Sequence, residues 1–217
     1  MLTIASPNPD RSLLTLAELR AAVGVSDNSK DATLIPLGAY VSAMITSACK
    51  VAKSGAIPPT LRLETVTETF LFKSLQKSLV LARRPIVEIV SVMTSGSEVA
   101  ESDRIPDAAA GILYRSNGEG CWISDYYGRC AYWSCGNTVI EYSAGYEVVP
   151  ADLKYAAIKF VQAENTTGSR DPNLKSLEIV GVSTRQWWVS DKQVTSALPG
   201  EEMDILVRGG YANMVVA

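Results

Sequence analysis

The hydrophobic pattern of this sequence changes its period twice, and this alternation limits the folds that the chain can adopt. From Leu34 to Ala52, apolar residues recur every three or four positions, which predicts a helix. From Leu61 to Tyr146, no helical period survives and short stretches alternate with a period of two. The helical period returns after Pro150. The pattern predicts an α+β fold in which a small helical bundle carries a β-rich insertion and is followed by an extended C-terminal tail.

Four segments follow from these changes of pattern. They are an N-terminal arm with helices (1–59), a β-rich insertion (60–146), a helix that returns to the bundle (147–168) and a C-terminal extension (169–217). The extension has no strong period and is too long for an ordinary loop in a compact domain. Its apolar content is too high for a disordered linker. We therefore expect the extension to dock on a partner.

The first segment carries clear helix signals after an arm formed by residues 1–12. Thr15 and Glu18 have the spacing of a capping box, and Gly24 is a natural helix stop. The second helix is expected to start within 32–35, because the proline that follows is tolerated only in a first turn or at a bend. Small residues are frequent in this helix and favour close neighbours, either within the chain or in a partner subunit: Ala39, Ser42, Ala43, Ser47 and Ala48.

Proline and glycine punctuate the β-rich insertion. The two faces of the stretch 61–72 exchange polar and apolar character midway, which predicts a bulge or a change of environment near residues 66–69. Pro85 marks the start of a strand, and a turn is expected at residues 95–97. A last strand is interrupted by Gly145. The helix after it places apolar residues at helical spacing, and we expect it to pack against the earlier long helix.

The sequence contains no histidine, which excludes several kinds of active site. Histidine is the commonest general base and metal ligand, so neither a Ser/His/Asp nor a Cys/His nucleophile can be built. The 20 basic and 23 acidic residues give a net charge of −3, and this balance argues against an electrostatic binder of nucleic acid. We expect no enzyme activity and no cofactor.

Cysteine usage and the N-terminal residues both favour a reducing compartment. The start of the sequence lacks the basic and apolar regions of a signal peptide, and no window resembles a membrane span. Small reduced side chains near a β core are the simplest interpretation of the cysteines Cys49, Cys121, Cys130 and Cys135. A three-thiolate zinc site at the last three remains an alternative, although their gaps are longer than those of zinc knuckles.

Two further clusters allow a binding or catalytic interpretation. The aromatic residues Tyr126, Tyr127, Tyr132 and Trp133 fit a β hairpin with cross-strand aromatic pairs, or a platform on which sugars or bases stack. The second interpretation gives the alternative function, a carbohydrate- or ligand-binding β module on a helical stem. The spacing of the carboxylates does not require a hydrolase site at Asp103, Asp107, Glu119, Asp125 and Glu141.

Residues of the C-terminal extension are the main candidates for partner contact. Tryptophan and arginine dominate many interface energies, and the extension combines them with an apolar run. The candidates for binding a neighbouring subunit or another protein are Arg185, Trp187, Trp188, Ile205, Leu206 and Val207. Arg83 and Arg84 are candidates for contact with DNA or with a neighbour's carboxylates, or for a solvated strand edge.

The order of these elements resembles the head-tail connector (adaptor) family of tailed bacteriophages and gene transfer agents. The resemblance lies mainly in "YSAGYEVVPADLKYAAIKFV" (142–161) and in "LARRPIVEIVSV" (81–92), followed by "RDPNLKSLEIVGV". It spans roughly residues 14–182, and the order of the motifs is more specific than any one of them. This sequence departs from shorter members in its larger β insertion and its longer C-terminal end.

The resemblance implies a structural virion protein rather than an enzyme. Members of the family form a ring, usually of twelve subunits, under the portal protein at one capsid vertex. The ring extends the DNA channel, touches the genome passively and provides the platform for stopper or tail proteins, and C-terminal segments commonly reach the portal. The implied location is the virion neck after assembly in the host bacterial cytoplasm.

Overall fold

The computed structural model describes residues 1–116, 132–168, 176–179, 183–186 and 200–211. The chain divides into two compact units, which we call the β unit (Met1–Arg11 and Val51–Val149) and the helical unit (Ser12–Lys50 and Pro150–Ala217). Helices and strands contribute about equally, so the predicted α+β class is confirmed. Residues 1–11 and 51–59, expected in the helical segment, belong to the β unit.

The β unit contains two antiparallel sheets. Its strands are β1 (Leu2–Ser6), β2 (Glu64–Phe72), β3 (Ser78–Val80), β4 (Ile86–Thr94), β5 (Ser97–Glu98), β6 (Arg104–Asp107), β7 (Ile112–Arg115) and β8 (Gly136–Ala144). The larger sheet has the order β1-β2-β8-β4-β5, and the smaller sheet has the order β3-β7-β6. Apolar residues of both sheets form one core, which includes Val66, Leu79, Leu113 and Trp133.

The strand order explains two differences from the sequence analysis. The expected N-terminal arm includes β1, which pairs with β2 and buries Ile4 in the core. The register of β2 with β8 is continuous, so the bulge expected near residues 66–69 is absent from that pairing. Irregularities occur instead in β1, between Ile4 and Ser6, and twice in β4. The polar residues on β2 reflect buried charge pairs rather than a bulge.

The strand boundaries around proline and glycine agree with the sequence. Pro85 comes directly before β4, after a cis peptide bond, and the expected turn joins β4 to β5. Gly145 follows β8 with a φ of +110°, and a Cβ atom there would lie 2.5 Å from the carbonyl oxygen of Arg62. Glycine is therefore required at this position by both conformation and space.

Helices dominate the described part of the helical unit. They are α1 (Leu16–Val23), α2 (Asp31–Ala48), α3 (Ala151–Gly168) and α4 (Gly200–Arg208). The predicted capping box of α1 is present, and its C-terminal Gly24 is left-handed. The apolar stripe of α3 is buried, including Leu153, Phe160 and Val161. The helix α3 packs against α2, as expected, and also against α1.

Two boundaries in the helical unit differ from expectation. The helix α2 ends at Ala48, although the helical spacing of apolar residues in the sequence continues to Ala52. Residues 200–208 were expected in an extended tail, but they form α4, which packs against α3.

Strands β9 (Ser176–Ile179) and β10 (Ser183–Gln186) form an antiparallel pair. Among the described helices, none has both the length and the apolar composition that a membrane span requires.

Candidate interaction surfaces

Charged side chains occupy the interior of the β unit at β2. Glu64 is buried, and its Oε2 atom accepts a hydrogen bond from the Arg83 guanidinium at 3.3 Å. Its Oε1 atom accepts from the backbone N–H of Asn8 at 3.1 Å and from the Arg11 guanidinium at 3.3 Å. Arg83 also donates to the carbonyl oxygen of Thr60 at 2.8 Å. Buried charges of opposite sign therefore compensate one another here.

A second buried carboxylate on the same face of β2 is connected to this network. Glu68 accepts hydrogen bonds from the Tyr142 hydroxyl and from the backbone N–H of Ala82, each at 3.0 Å. The Tyr142 oxygen in turn accepts from the backbone N–H of Arg83 at 3.2 Å. Burial raises the pKa of Glu68, although these hydrogen bonds offset part of the effect. Burial beside Glu68 also raises the pKa of Tyr142.

The buried network changes the assignment of Arg83. Its side chain is 5% exposed and is directed to Glu64, so it cannot reach DNA or a neighbouring subunit from this position. Burial lowers the pKa of Arg83, and the charge of Glu64 offsets part of that effect. Arg84 is half-buried and remains a candidate for contact. Sequence reasoning missed the network, although Glu64 and Glu68 share a strand face with Val66.

The helix α2 differs from the inner face of β2 in its charge. It carries no charged residue between Asp31 and Lys50. Its inner face contacts α1: a Cβ atom on Gly38 would lie 2.6 Å from a methyl carbon of Leu19. The buried Ser42 hydroxyl donates to the Gly38 carbonyl oxygen at 2.7 Å and accepts from the Leu13 N–H at 3.0 Å. Part of the small-residue pattern thus serves packing within the chain.

The other side of α2 is exposed and uncharged. We call it the α2 outer face, and it consists of Ile35, Ala39, Tyr40, Ala43 and Ser47. Ile35 is 56% exposed and Tyr40 is 48% exposed. The small-residue pattern predicted a close neighbour for this side as well. The Phe160 ring lies 6.3 Å from the Tyr40 ring, yet all five residues remain exposed to solvent in the described structure.

A groove of about 620 Å³ runs beside β4 in the β unit. The register of β4 with β8 shifts at Val87 and again at Val90. Both valines line the groove and are exposed, and Arg104 and Pro106 also line it. Bulges commonly redirect side chains and protect sheet edges from pairing. Arg104 donates to the Ile89 carbonyl oxygen at 3.3 Å, so its guanidinium is committed to this edge.

The structure describes only some of the proposed contact residues in the C-terminal extension. Arg185 lies in β10, whereas Trp187 and Trp188 lie outside the described residues. In α4, Leu206 is fully buried within the helical unit, and Val207 is 41% exposed. Ile205 is half-buried. Of the three candidates in α4, Val207 is therefore the most accessible to a partner.

The remaining clusters have local explanations wherever they are described. Trp133 is 1% exposed, and its indole N–H donates to the Leu113 carbonyl oxygen at 3.2 Å, so it cannot serve as a stacking platform. Asp103 pairs with Arg115 at 3.3 Å, and Asp107 accepts from the N–H of Ala110.

Other members of these clusters are only partly described. Cys49 is buried and Cys135 is exposed. Glu141 is half-buried on β8. The cluster members outside the described residues are Cys121, Cys130, Tyr126, Tyr127, Glu119 and Asp125. No group of three potential ligands forms a metal site within the described ranges.

The fold is similar to chains of solved gene transfer agent (GTA) necks. A chain in the neck of an empty GTA particle, computed with C6 symmetry, aligns with a TM-score of 0.52 and 16% identity over 82% of this chain and 89% of that chain. A chain in the neck of a native GTA particle, computed with C12 symmetry, aligns with a TM-score of 0.50 and 17% identity over 80% of this chain and 87% of that chain. A chain in the virion of the native GTA particle aligns with a TM-score of 0.50 and 18% identity over 80% of this chain and 88% of that chain.

Sequence comparison alone finds no relative. No protein-family model matches the chain, and no curated protein matches it significantly. The similarity therefore lies in the fold, which this chain shares with a component of the GTA neck.

Proposed function

We propose that the protein is a head-tail connector (adaptor) that forms a ring under the portal of a virion. The observation that carries this proposal is the similarity to neck chains over four-fifths of the sequence. In this role the ring extends the DNA channel and provides the platform for stopper or tail proteins. The protein acts without catalysis and without a cofactor, which agrees with a sequence that lacks histidine.

A ring of identical subunits requires two complementary patches on the surface of each subunit. The two patches must differ, and the rotation between neighbours must close. Two neck structures computed with C6 and C12 symmetry support a ring, and we propose twelve copies for this protein. The modest net charge of −3 suits a channel that touches DNA passively. A protein without an excess of basic residues gains little affinity for DNA from neutralising its phosphates.

We further propose that the C-terminal extension contacts the portal or a neighbouring subunit. The residues assigned to this contact are Arg185, Trp187, Trp188, Ile205 and Val207, with Leu206 supporting them from inside the helical unit. Aromatic side chains and arginine supply most of the binding energy at many interfaces. Arg84 is assigned to the channel or to a neighbour's carboxylates.

Native mass spectrometry of the chain mixed with the portal protein from the same genome tests this function. A complex that contains one closed ring of 23.3 kDa subunits on each portal ring is expected. A chain that remains at its monomer mass, both alone and with the portal, would contradict the proposal.

A paired variant tests the extension separately. Replacing Trp187 and Trp188 with alanine should abolish attachment to the portal without unfolding the helical unit, as followed by circular dichroism. Val80→Ala in the β unit removes another exposed apolar side chain and provides the control, which should still attach. Attachment of the tryptophan variant at the unaltered affinity would remove these residues from the interface.

A further inference from the structure

We propose that the α2 outer face is buried against a second copy of this chain and forms the core of the subunit interface. This inference rests on the proposed ring function and adds to it the surface through which the ring closes. The face is defined by Ile35, Ala39, Tyr40, Ala43 and Ser47, all on the exposed side of α2.

The first argument is the absence of charge on a helix that is partly exposed. Helices on the surface of globular proteins normally carry charged or polar side chains opposite their apolar stripe, whereas a helix that is apolar all round is buried. The 18 residues of α2 contain one charged side chain, Asp31 at the first position. That carboxylate is bonded to the Arg20 guanidinium. The composition of α2 is that of an enclosed helix, but the described residues enclose only one of its sides.

The second argument is the shape of the exposed side. Ala39, Ala43 and Ser47 are spaced four residues apart and form a row of small side chains along the helix. Such a row allows the backbone of a packed element to approach closely, to the short end of the 8–10 Å interaxial range. Ile35 and Tyr40 flank the row and offer large apolar surfaces to fill the space beside it. The face thus combines a row of small side chains with two large apolar ones.

The size of the face fits the core of an interface rather than a whole interface. The helix is about 27 Å long, and a specific interface buries roughly 800 Å² on each partner. A single helix face supplies only part of that area, so polar surface around it must form the rim. Interfaces have this composition in general, with an uncharged centre and a charged margin.

The chemistry of the face selects among occupants. DNA is disfavoured, because the face has no lysine or arginine to neutralise phosphates. A second copy is favoured, because a closed ring covers the same face on every subunit without a further component. The neck chains with a similar fold come from structures computed with sixfold and twelvefold symmetry. The complementary surface on the neighbour lies elsewhere on the chain, since a ring interface joins two different patches.

The test introduces a charge at the centre of the face. Ala43→Arg places a guanidinium in the row of small residues, and Ala21→Arg places the same side chain at an exposed position of α1. Ser47→Arg serves as a second variant on the α2 outer face. Ring formation is measured by native mass spectrometry over a range of concentrations, alone and with the portal, and folding is checked by circular dichroism and thermal unfolding.

Both α2 variants are expected to remain folded and to need more than about 100-fold higher concentration for half-maximal ring formation, because a buried unpaired charge strongly weakens an interface. Ala21→Arg is expected to assemble like the unaltered chain. Rings of both α2 variants at the unaltered concentration would overturn the inference. Loss of rings in the α1 variant as well would also overturn it, because the effect would not be specific to this face.

The outcomes separate this inference from the proposed function. If the unaltered chain forms no ring and does not bind the portal, the proposed function fails before any variant is compared. If the unaltered chain forms rings and Ala43→Arg forms them equally well but no longer binds the portal, the function stands and the inference fails. In that case the portal, and not a second copy, is the occupant of the face.

Discussion

The interior of the β unit and the exterior of the helical unit depart from the usual distribution of charge in opposite ways. The inner face of β2 buries Glu64 and Glu68, whereas the α2 outer face exposes only uncharged side chains. In the first region, arginine, tyrosine and backbone donors of the same chain satisfy the charges. In the second region, the described residues leave the uncharged surface exposed, apart from the contact of the Tyr40 ring with Phe160. An unusual pattern that is compensated within the chain indicates structure, and one that is not compensated indicates a partner.

The largest effect on stability is expected from breaking the buried charge pair. Arg83→Met should lower the free energy of unfolding by about 3 kcal/mol, because Glu64 keeps its charge and loses its most buried partner. Urea unfolding followed by circular dichroism measures the change. The double variant Arg83→Met/Glu64→Leu should recover much of the loss, since an apolar pair can replace a buried ion pair. A double variant as unstable as the sum of both single variants would contradict this account of β2.

A smaller effect is expected when the hydroxyl between the two halves of the network is removed. Tyr142→Phe should destabilise the protein by about 1–3 kcal/mol, because Glu68 loses a donor and the N–H of Arg83 loses an acceptor. The exposed Tyr155→Phe, in α3, provides the matched control and should change stability by less than about 0.5 kcal/mol. Equal effects of the two substitutions would show that the hydrogen bonds of the Tyr142 hydroxyl do not stabilise the folded protein.

The pH dependence of stability should reveal the buried carboxylate. Burial raises the pKa of Glu68 above the ordinary value of 4.5, so the folded protein binds this proton more tightly than the unfolded chain does. The resulting stabilisation is complete below the ordinary value and is lost as the pH rises through the raised one. Measured against Glu68→Gln, the unaltered chain should therefore gain free energy of unfolding as the pH is lowered from 7 towards 4.5. A difference that stays constant or changes in the other direction would contradict the raised pKa.

The smallest effect on folding is expected at the α2 outer face. Ala43→Arg should change the free energy of unfolding of the monomer by no more than about 0.5 kcal/mol, because the side chain enters solvent and arginine is a good helix former. Urea unfolding at a concentration below that of assembly measures this value. Strong destabilisation of the monomer would show that the face is buried within the chain, and the contrast with β2 would disappear.

Local signals allowed much of the fold to be predicted. The capping box of Thr15 and Glu18, the strand start after Pro85 and the buried stripe of α3 all follow from neighbouring residues. The α+β class follows from the changes of period. These features depend on contacts within a few positions of the chain or on one helix face.

Long-range contacts account for what was missed. β1 is a strand because it pairs with β2 about 60 residues away, and the prolines that follow it gave no indication of this. Arg83 looked like a surface residue because its partners, Glu64 and Thr60, come from a distant part of the sequence. Small residues on α2 predicted close packing but could not show which of them pack within the chain.

A cryo-electron microscopy reconstruction of the assembled ring, alone or on the portal, tests the central claim most directly. The quantity to measure is the accessibility of Ala39, Ala43 and Ser47 in the assembly. The account predicts that a neighbouring copy covers all three residues in every subunit, while the Glu64–Arg83 pair remains buried within its own chain. A ring in which the α2 outer face remains open to solvent or to the DNA channel would contradict it.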